Sequence, residues 1–415
     1  MLTCRTIDWK PAPSRPLRTA RSTFAVPDGL PNNHPGGTFG LPPSTHMNIT
    51  TLESRRYRFD LEPPFAAAWD PVPRRAFEET IVMVHTDEGV TGYAGGAPVP
   101  DLELLDRLLN GVNPSDTTAV FGICETVDFH GGRPWTVEVA VWDLLGRIEG
   151  RPLWELLGGQ RDRMMAYASC GERLPPEPRA ERLAAWQQQG LRAAKVRFHH
   201  PDWRDDLAVV EAVRRVLGNS MELMVDANQG WRMPGDLAPR WSLQTATDCA
   251  RALEDFGVYW LEEPLDTHDV ESYAALRSRS GVRIAAGEMV RCLPESKRLL
   301  AGGGVDVIQN DVVLAGGVTG CREIAELARR LGVVWSPHTW STGFGLLANL
   351  HVALALSNGE YLEVPFDPPA WTTARRDFML PVPLEIEADG TIAAPPGPGL
   401  GVTPDLAFLE RFRVS

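Results

Sequence analysis

Along the second half of the chain, short apolar runs end at or just before residues able to do chemistry: Lys195 with Arg197, Asp226, Glu262, Glu288, then Asp311 and His338 just past two later runs. If those runs are parallel strands of one barrel, their C-terminal ends open on one face, and residues distant in sequence converge on one mouth. Like charges gathered there repel unless a cation sits among them. Asp226, Glu262 and Glu288 close three successive runs, so they read as an oxygen-ligand site for a hard divalent cation. Mg²⁺ is the expected ion, because it accepts carboxylate oxygens and keeps positions open for water and substrate. Glu263 stands beside Glu262 but points the other way by strand alternation, so the metal is assigned to Glu262.

The elements that must position these groups are legible in the same stretch. After Gly159, apolar runs at 164–168, 193–198, 222–226, 258–262, 283–288, 305–309, 332–336 and 360–363 alternate with helical stretches. That alternation is the pattern of βα units around a parallel sheet. It predicts an α/β fold, a βα barrel over 161–375 that is small for its class, with no clear helix after the last run. Before it, 47–160 reads as an α+β module. Strands are expected at 49–52 and 79–86, a hairpin through Asp87-Glu88-Gly89 into 90–94, and amphipathic helices at 102–109 and 137–147. Between the first two strands, prolines bracket Phe65 and Trp69, which predicts a loop with an aromatic tip. Residues 1–46, crowded with proline and glycine, read as a disordered leader.

Composition narrows the function. The chain has 415 residues, with 41 Lys+Arg against 54 Asp+Glu and a net charge of −13, which disfavours nucleic acid or an anionic membrane as partner. No apolar run approaches the roughly 18 residues of a membrane span. Six cysteines without a CxxC pair, and no secretory signal pattern, fit reduced thiols in a cytoplasmic protein. Gly302-Gly303-Gly304 and Gly316-Gly317 lack a phosphate-loop lysine and read as turns.

Five segments then carry a resemblance: Val225-Asp226-Ala227-Asn228, Trp260-Leu261-Glu262-Glu263-Pro264, Ala286-Gly287-Glu288, Asn310-Asp311 with Gly316-Gly317-Val318-Thr319, and Ser336-Pro337-His338. Together with the junction from Glu138 to Gly159, they resemble the enolase superfamily and, within it, the mandelate racemase subgroup. The resemblance covers nearly everything after Met47. It implies a modified (β/α)7β barrel under an N-terminal α+β capping domain, with 376–415 returning to the cap. It also implies a reaction begun by removing the proton next to a carboxylate of a small-molecule substrate, and self-association into a homo-oligomer. A carbon acid is too weak for a side-chain base at neutral pH unless a cation stabilises the developing oxyanion, so the implied chemistry agrees with the expected Mg²⁺.

His338 is then the candidate base and Asp311 its carboxylate partner. Where the family commonly carries Lys-x-Lys, this sequence has Lys195-Val196-Arg197. Arginine stays protonated, so Arg197 is a poor proton acceptor and a good fork for a substrate carboxylate, while Lys195 is read as a carboxylate binder that could act as a second base only if desolvated. Glu363 matches a family position near the substrate carboxylate, Asn228 is expected to orient a ligand or substrate oxygen, and Phe65 with Trp69 is expected to close over the mouth. One competent base suits β-elimination, hence a dehydratase of an aldonic or aldaric acid. A racemase, epimerase or cycloisomerase sharing the intermediate is the alternative, and a non-catalytic metal-binding homologue the more distant one.

Overall fold

The computed structural model describes residues 47–414, so the expectation for 1–46 lies outside the described residues. The first strands, β1 (Ile49–Phe65), β2 (Arg74–Thr86) and β3 (Thr91–Gly96), form an antiparallel sheet in that order. The hairpin from β2 to β3 lies where the turn residues put it. By contrast, β1 is far longer than the four residues expected: it pairs with β2 from Ile49 opposite Thr86 to Asp60 opposite Ala76, then shifts register to set Phe65 against Arg74. Its buried positions, Ile49, Leu52, Tyr57, Leu61 and Phe65, do not recur at every second residue, so strand periodicity is invisible there.

Helices α1 (Leu102–Leu109), α2 (Thr117–Phe129) and α3 (Trp135–Glu149) follow. No helix is expected from the sequence at α2, whose buried residues include Asp128 beside Val120, Phe121, Cys124 and Val127. α3 is buried continuously from Trp135 to Gly146, because it is packed against β2 and β3 as well as against a barrel helix.

After the single turn α4 (Leu153–Leu156), strands and helices alternate: β4 (Arg163–Ser169), α5 (Pro176–Gln188), β5 (Ala193–Arg197), α6 (Trp203–Leu217), β6 (Glu222–Asp226), α7 (Leu243–Asp255), β7 (Trp260–Glu262) and α8 (Val270–Arg279). The series continues with β8 (Arg283–Ala286), α9 (Leu293–Ala301), β9 (Val307–Ile308), α10 (Gly317–Arg330), β10 (Val334–Trp335), α11 (Gly343–Leu356) and β11 (Tyr361–Pro365). The strands pair in parallel in the order β11-β4-β5-β6-β7-β8-β9-β10, a curled (β/α)7β sheet whose strands coincide with the runs seen in the sequence. The ladder does not continue from β10 to β11. There Ser336 Oγ donates to Tyr361 O at 3.0 Å and Trp335 N to Asn358 Oδ1 at 3.0 Å. The chain then passes through α12 (Thr373–Arg376) and β12 (Thr391–Ala393), which pairs antiparallel with β4, and Arg413 bridges to Tyr57 of β1.

Inside the sheet, side chains alternate inward every second residue. Tyr167, Ala193, Met224, Trp260, Ala285 and Val307 make an apolar floor. Two residues further along their strands come Ser169, Lys195, Asp226, Glu262 and Gln309, all buried and all polar. On five of the six strands one inward step thus changes packing into chemistry; after Ala285 that position is Gly287 and the acid follows as Glu288.

Two acids of the N-terminal region reach helices of the barrel. Glu138 on α3 accepts hydrogen bonds at the start of α10 from Val318 N (2.8 Å), Thr319 N (3.1 Å) and Thr319 Oγ1 (2.6 Å), and one from Trp142 Nε1 (2.7 Å) of its own helix. Gly317 makes this possible: at φ 60° a Cβ there would stand 2.2 Å from Glu138 Oε2. Glu79 on β2 accepts from Thr342 N (3.2 Å) and Oγ1 (2.6 Å), just ahead of α11. A helix N-terminus offers unpaired N–H groups and a partial positive charge, so both carboxylates are well placed.

Candidate active site

Asp226, Glu262 and Glu288 come from the ends of β6, β7 and the residues just after β8, and offer ligand oxygens within 4.8 Å of one another. Each is fixed by a neutral donor. Asp226 accepts from Asn228 N (2.8 Å) and Nδ2 (3.1 Å), Glu262 from Trp260 Nε1 (3.0 Å), and Glu288 from Trp231 Nε1 (2.6 Å). Asn228 holds its position at φ 46° and Glu263 at φ 44°, a left-handed backbone that non-glycine residues adopt mainly where the surroundings enforce it.

The charges around this triad do not balance. Asp226, Glu262, Glu263, Glu288 and Glu363, all buried, outnumber the two permanent cations Lys195 and Arg197. Glu288 Oε2 and both oxygens of Glu263 have no hydrogen-bond partner. Burial first, then the nearby carboxylates of Glu288 and Asp226, push the Glu263 carboxyl well above its ordinary range. Buried acids with unmatched oxygens and excess negative charge are what a divalent cation would satisfy, so the residues fit one.

Lys195 is paired with Glu262, lies 2.8 Å from Glu363 and 3.6 Å from Asp226, and is fully buried. Burial opposes its charge, but Glu262 and Glu363 outweigh that and raise its pKa above the ordinary lysine value. Arg197 is likewise occupied: Nε donates to Cys170 O (2.9 Å), Nη1 to Asp226 and more distantly Asn228 Oδ1 (3.4 Å), Nη2 to Ser169 Oγ (3.0 Å). Its guanidinium lies 4.7 Å from the Trp69 ring centroid and 5.7 Å from that of Trp340.

Opposing them, His338 Nδ1 is 2.9 Å from Asp311 Oδ2, while Nε2 faces Glu288 Oε2 at 3.7 Å. Asp311 is itself held by Val313 N and Asn349 Nδ2, both at 3.0 Å. Burial works against protonation of His338, but Glu288, Glu363 and Asp311 prevail and raise its pKa to about 9. A divalent cation among the acids would act in the opposite direction. Glu363 accepts from Thr339 N (2.8 Å); burial would raise its pKa, yet Lys195, His338 and Arg197 lower it to about 2.

Phe65 and Trp69 differ from expectation. They are not an exposed tip: Phe65 is fully buried and Trp69 nearly so, in a cluster with Leu61, Ala67, Ala370 and Trp371. Trp340 stacks on Phe65 at 5.7 Å and meets the edge of Trp69 at 4.6 Å, because the loop after β1 lies down on the barrel, with Ala68 N donating to Gly171 O at 2.7 Å. Trp69 touches the site through Arg197, and Phe65 lies one layer behind it. Sequence reasoning missed the roles of Trp231, Trp260, Trp340 and Asn349; only Trp260, two residues before Glu262, stood in a motif already singled out, while Trp231 lies three residues beyond the motif that ends at Asn228.

A family model described as enolase C-terminal domain-like matches residues 179–408. A D-galactarolactone cycloisomerase of Agrobacterium fabrum is 28% identical over 89% of this chain and 99% of its own. A D-galactonate dehydratase of Ralstonia nicotianae is 30% identical over 80% of this chain and 90% of its own. Among solved structures, an L-talarate dehydratase from a Polaromonas species, complexed with Mg and L-glucarate, superposes with a TM-score of 0.76 at 26% identity, covering 89% of this chain and 98% of that one. Fold, site and relatives agree: the chain belongs to the enolase superfamily and, within it, to the mandelate racemase group.

Proposed function

We propose that the protein is a Mg²⁺-dependent dehydratase of an aldonic or aldaric acid. The observation that carries this reading is the asymmetry of the site. On one side His338, partnered by Asp311, presents an imidazole with no other protein hydrogen bond on Nε2. On the β5 side Lys195 is locked among carboxylates and the donors of Arg197 are spent on Asp226, Cys170 and Ser169. A racemase wants a base on each face of the substrate, whereas elimination needs only one.

Asp226, Glu262 and Glu288 would hold Mg²⁺, which when bound would stabilise the negative charge that develops on the substrate carboxylate. His338 Nε2 takes the α-proton, with Asp311 holding Nδ1 and the imidazolium that forms. The electron pair left at Cα expels the β-hydroxyl, and the proton on His338 leaves with it as water. The enol then tautomerises to a 2-keto-3-deoxy acid. Lys195 and Glu363 form a buried pair beside the reacting carboxylate and keep its surroundings polar and dry. In this reading 47–160 caps the barrel of 161–375 and 376–415 ties the two together.

Cycloisomerisation is the second reading, favoured by the relative that matches over nearly its whole length. A panel of acid sugars incubated with Mg²⁺ in D₂O separates the possibilities. The expected result is a 2-keto-3-deoxy product without an accumulating α-epimer, and loss of about 10²–10⁴-fold in His338→Asn. A wild-type enzyme that epimerises its best substrate and eliminates no water overturns the proposal.

A further inference from the structure

We infer that Trp231 is a positioning residue for Glu288, acting through its indole N–H on the orientation of that carboxylate rather than through contact with substrate. The inference rests on the metal assignment made under the proposed function.

Glu288 is the ligand with the least support. It follows β8 (Arg283–Ala286) instead of lying within it, so no ladder fixes its backbone. Of its two oxygens, Oε2 faces only the His338 ring at 3.7 Å and has no hydrogen bond, while Oε1 accepts from Trp231 Nε1 at 2.6 Å. That bond crosses the mouth, because Trp231 belongs to the loop after β6, which itself carries Asp226. One short segment thus holds two ligands: Asp226 as a residue, Glu288 through its fifth successor.

The loop is built to hold that indole in place. Asn228 turns the chain at φ 46°, and Gln229 N donates to Glu263 O at 2.8 Å. Arg240 Nη1 donates to the carbonyls of Gln229 and Gly230, both at 3.0 Å, and Thr267 N to Gly230 O at 3.3 Å. At Gly230 a Cβ would lie 2.3 Å from Glu263 Oε1, so a larger residue there would have to displace that carboxylate or the loop itself. On its outer side Trp231 packs against the cluster of Leu61, Phe65, Ala67 and Trp69. A ring held from both sides has little freedom, and its N–H becomes a fixed donor. Groups hydrogen-bonded behind a metal ligand in this way govern how well the ligand is preorganised.

The test is Mg²⁺ alone, titrated calorimetrically into the metal-stripped full-length chain. Trp231→Phe keeps the ring in the aromatic cluster and deletes the donor. It should bind Mg²⁺ about 10- to 100-fold more weakly than the parent, melt at a similar temperature in EDTA, and recover most of its kcat once Mg²⁺ saturates. If that variant fails to fold, Gly230→Ala displaces the loop while leaving Trp231 and the ligands unchanged, and should show the same loss of affinity. A folded variant whose affinity stays within roughly threefold of the parent overturns the role of Trp231. A parent chain that takes up no Mg²⁺ overturns the cofactor assignment along with it, so the two failures are told apart.

Discussion

Buried carboxylates occupy two regions of this molecule and are treated in opposite ways. At the junction with the barrel helices, Glu138 meets four donors and Glu79 two, most of them at the starts of α10 and α11. At the barrel mouth, Glu263 has no donor and Glu288 has one. Nothing in amino-acid type separates the two sets. The difference lies in whether the protein supplies the counter-charge itself: acids matched by helix N-termini hold elements together, and acids left unmatched keep an opening for something that binds.

The widest gap between the regions should appear with Glu262→Gln. Turnover is expected to fall by about 10³-fold, the upper end for losing one oxyanion-stabilising group. Mg²⁺ binding should weaken in parallel, while the chain still folds in EDTA, since Lys195 keeps Glu363 and Asp226 as partners. A variant that retains activity in excess EDTA would erase the distinction.

Glu138→Ala should do the reverse, costing about 4 kcal/mol in urea unfolding because several buried donors are orphaned at once. Its Mg²⁺ affinity, measured on the folded fraction, should be that of the parent. Equal damage to metal binding would mean that the junction and the mouth are one system.

Glu79 sharpens the contrast through pH. Burial, only partly offset by Thr342, raises its pKa from 4.5 to about 7. Between those values the folded chain keeps a proton that the unfolded chain has released, so stability falls as pH rises, and the loss is complete above about 7. In Glu79→Gln that slope should vanish, leaving the variant relatively more stable at pH 8 than at pH 4.5 by about 3 kcal/mol. Parallel curves for parent and variant would show Glu79 ionised throughout.

The smallest effect is expected at Trp69→Phe. Ring packing survives and part of the stack on Arg197 is lost, for less than about 1 kcal/mol in stability. The Mg²⁺ affinity should be unchanged by calorimetry. A large loss would place the arm among the determinants of the metal site.

Much of the barrel was legible because its inward positions change type abruptly. Met224 to Asp226 and Trp260 to Glu262 step from apolar floor to acid, and such steps on successive runs have no reason to occur without a shared site. His338 and Asp311 could be paired because they follow neighbouring strands and because the resemblance to the family implies that pairing. What stayed hidden involves directions that spacing does not encode. The Arg197 sequence position says nothing of Cys170, Ser169 and Asp226 consuming its donors, and the Phe65 to Trp69 loop announces its prolines but not the surface it lies on. Glu79 sits in an apolar strand and Glu138 in an apolar helix, so neither shows its partner until the helices are in place.

The interrupted ladder between β10 and β11 has a mechanical consequence. His338 follows β10 and Glu363 lies on β11, so the two flank the one junction in the curled sheet that is stitched by side chains such as Ser336 and Asn358 instead of a backbone ladder. A gap fastened in this way can widen by rotating a few torsions, without breaking a row of paired strands. Compliance is therefore concentrated at the edge bearing the imidazole, while Asp226 and Glu262 sit on strands gripped from both sides. The two sides of the mouth thus differ in how they are fastened: by backbone ladders around Asp226 and Glu262, and by a few side-chain bonds between His338 and Glu363.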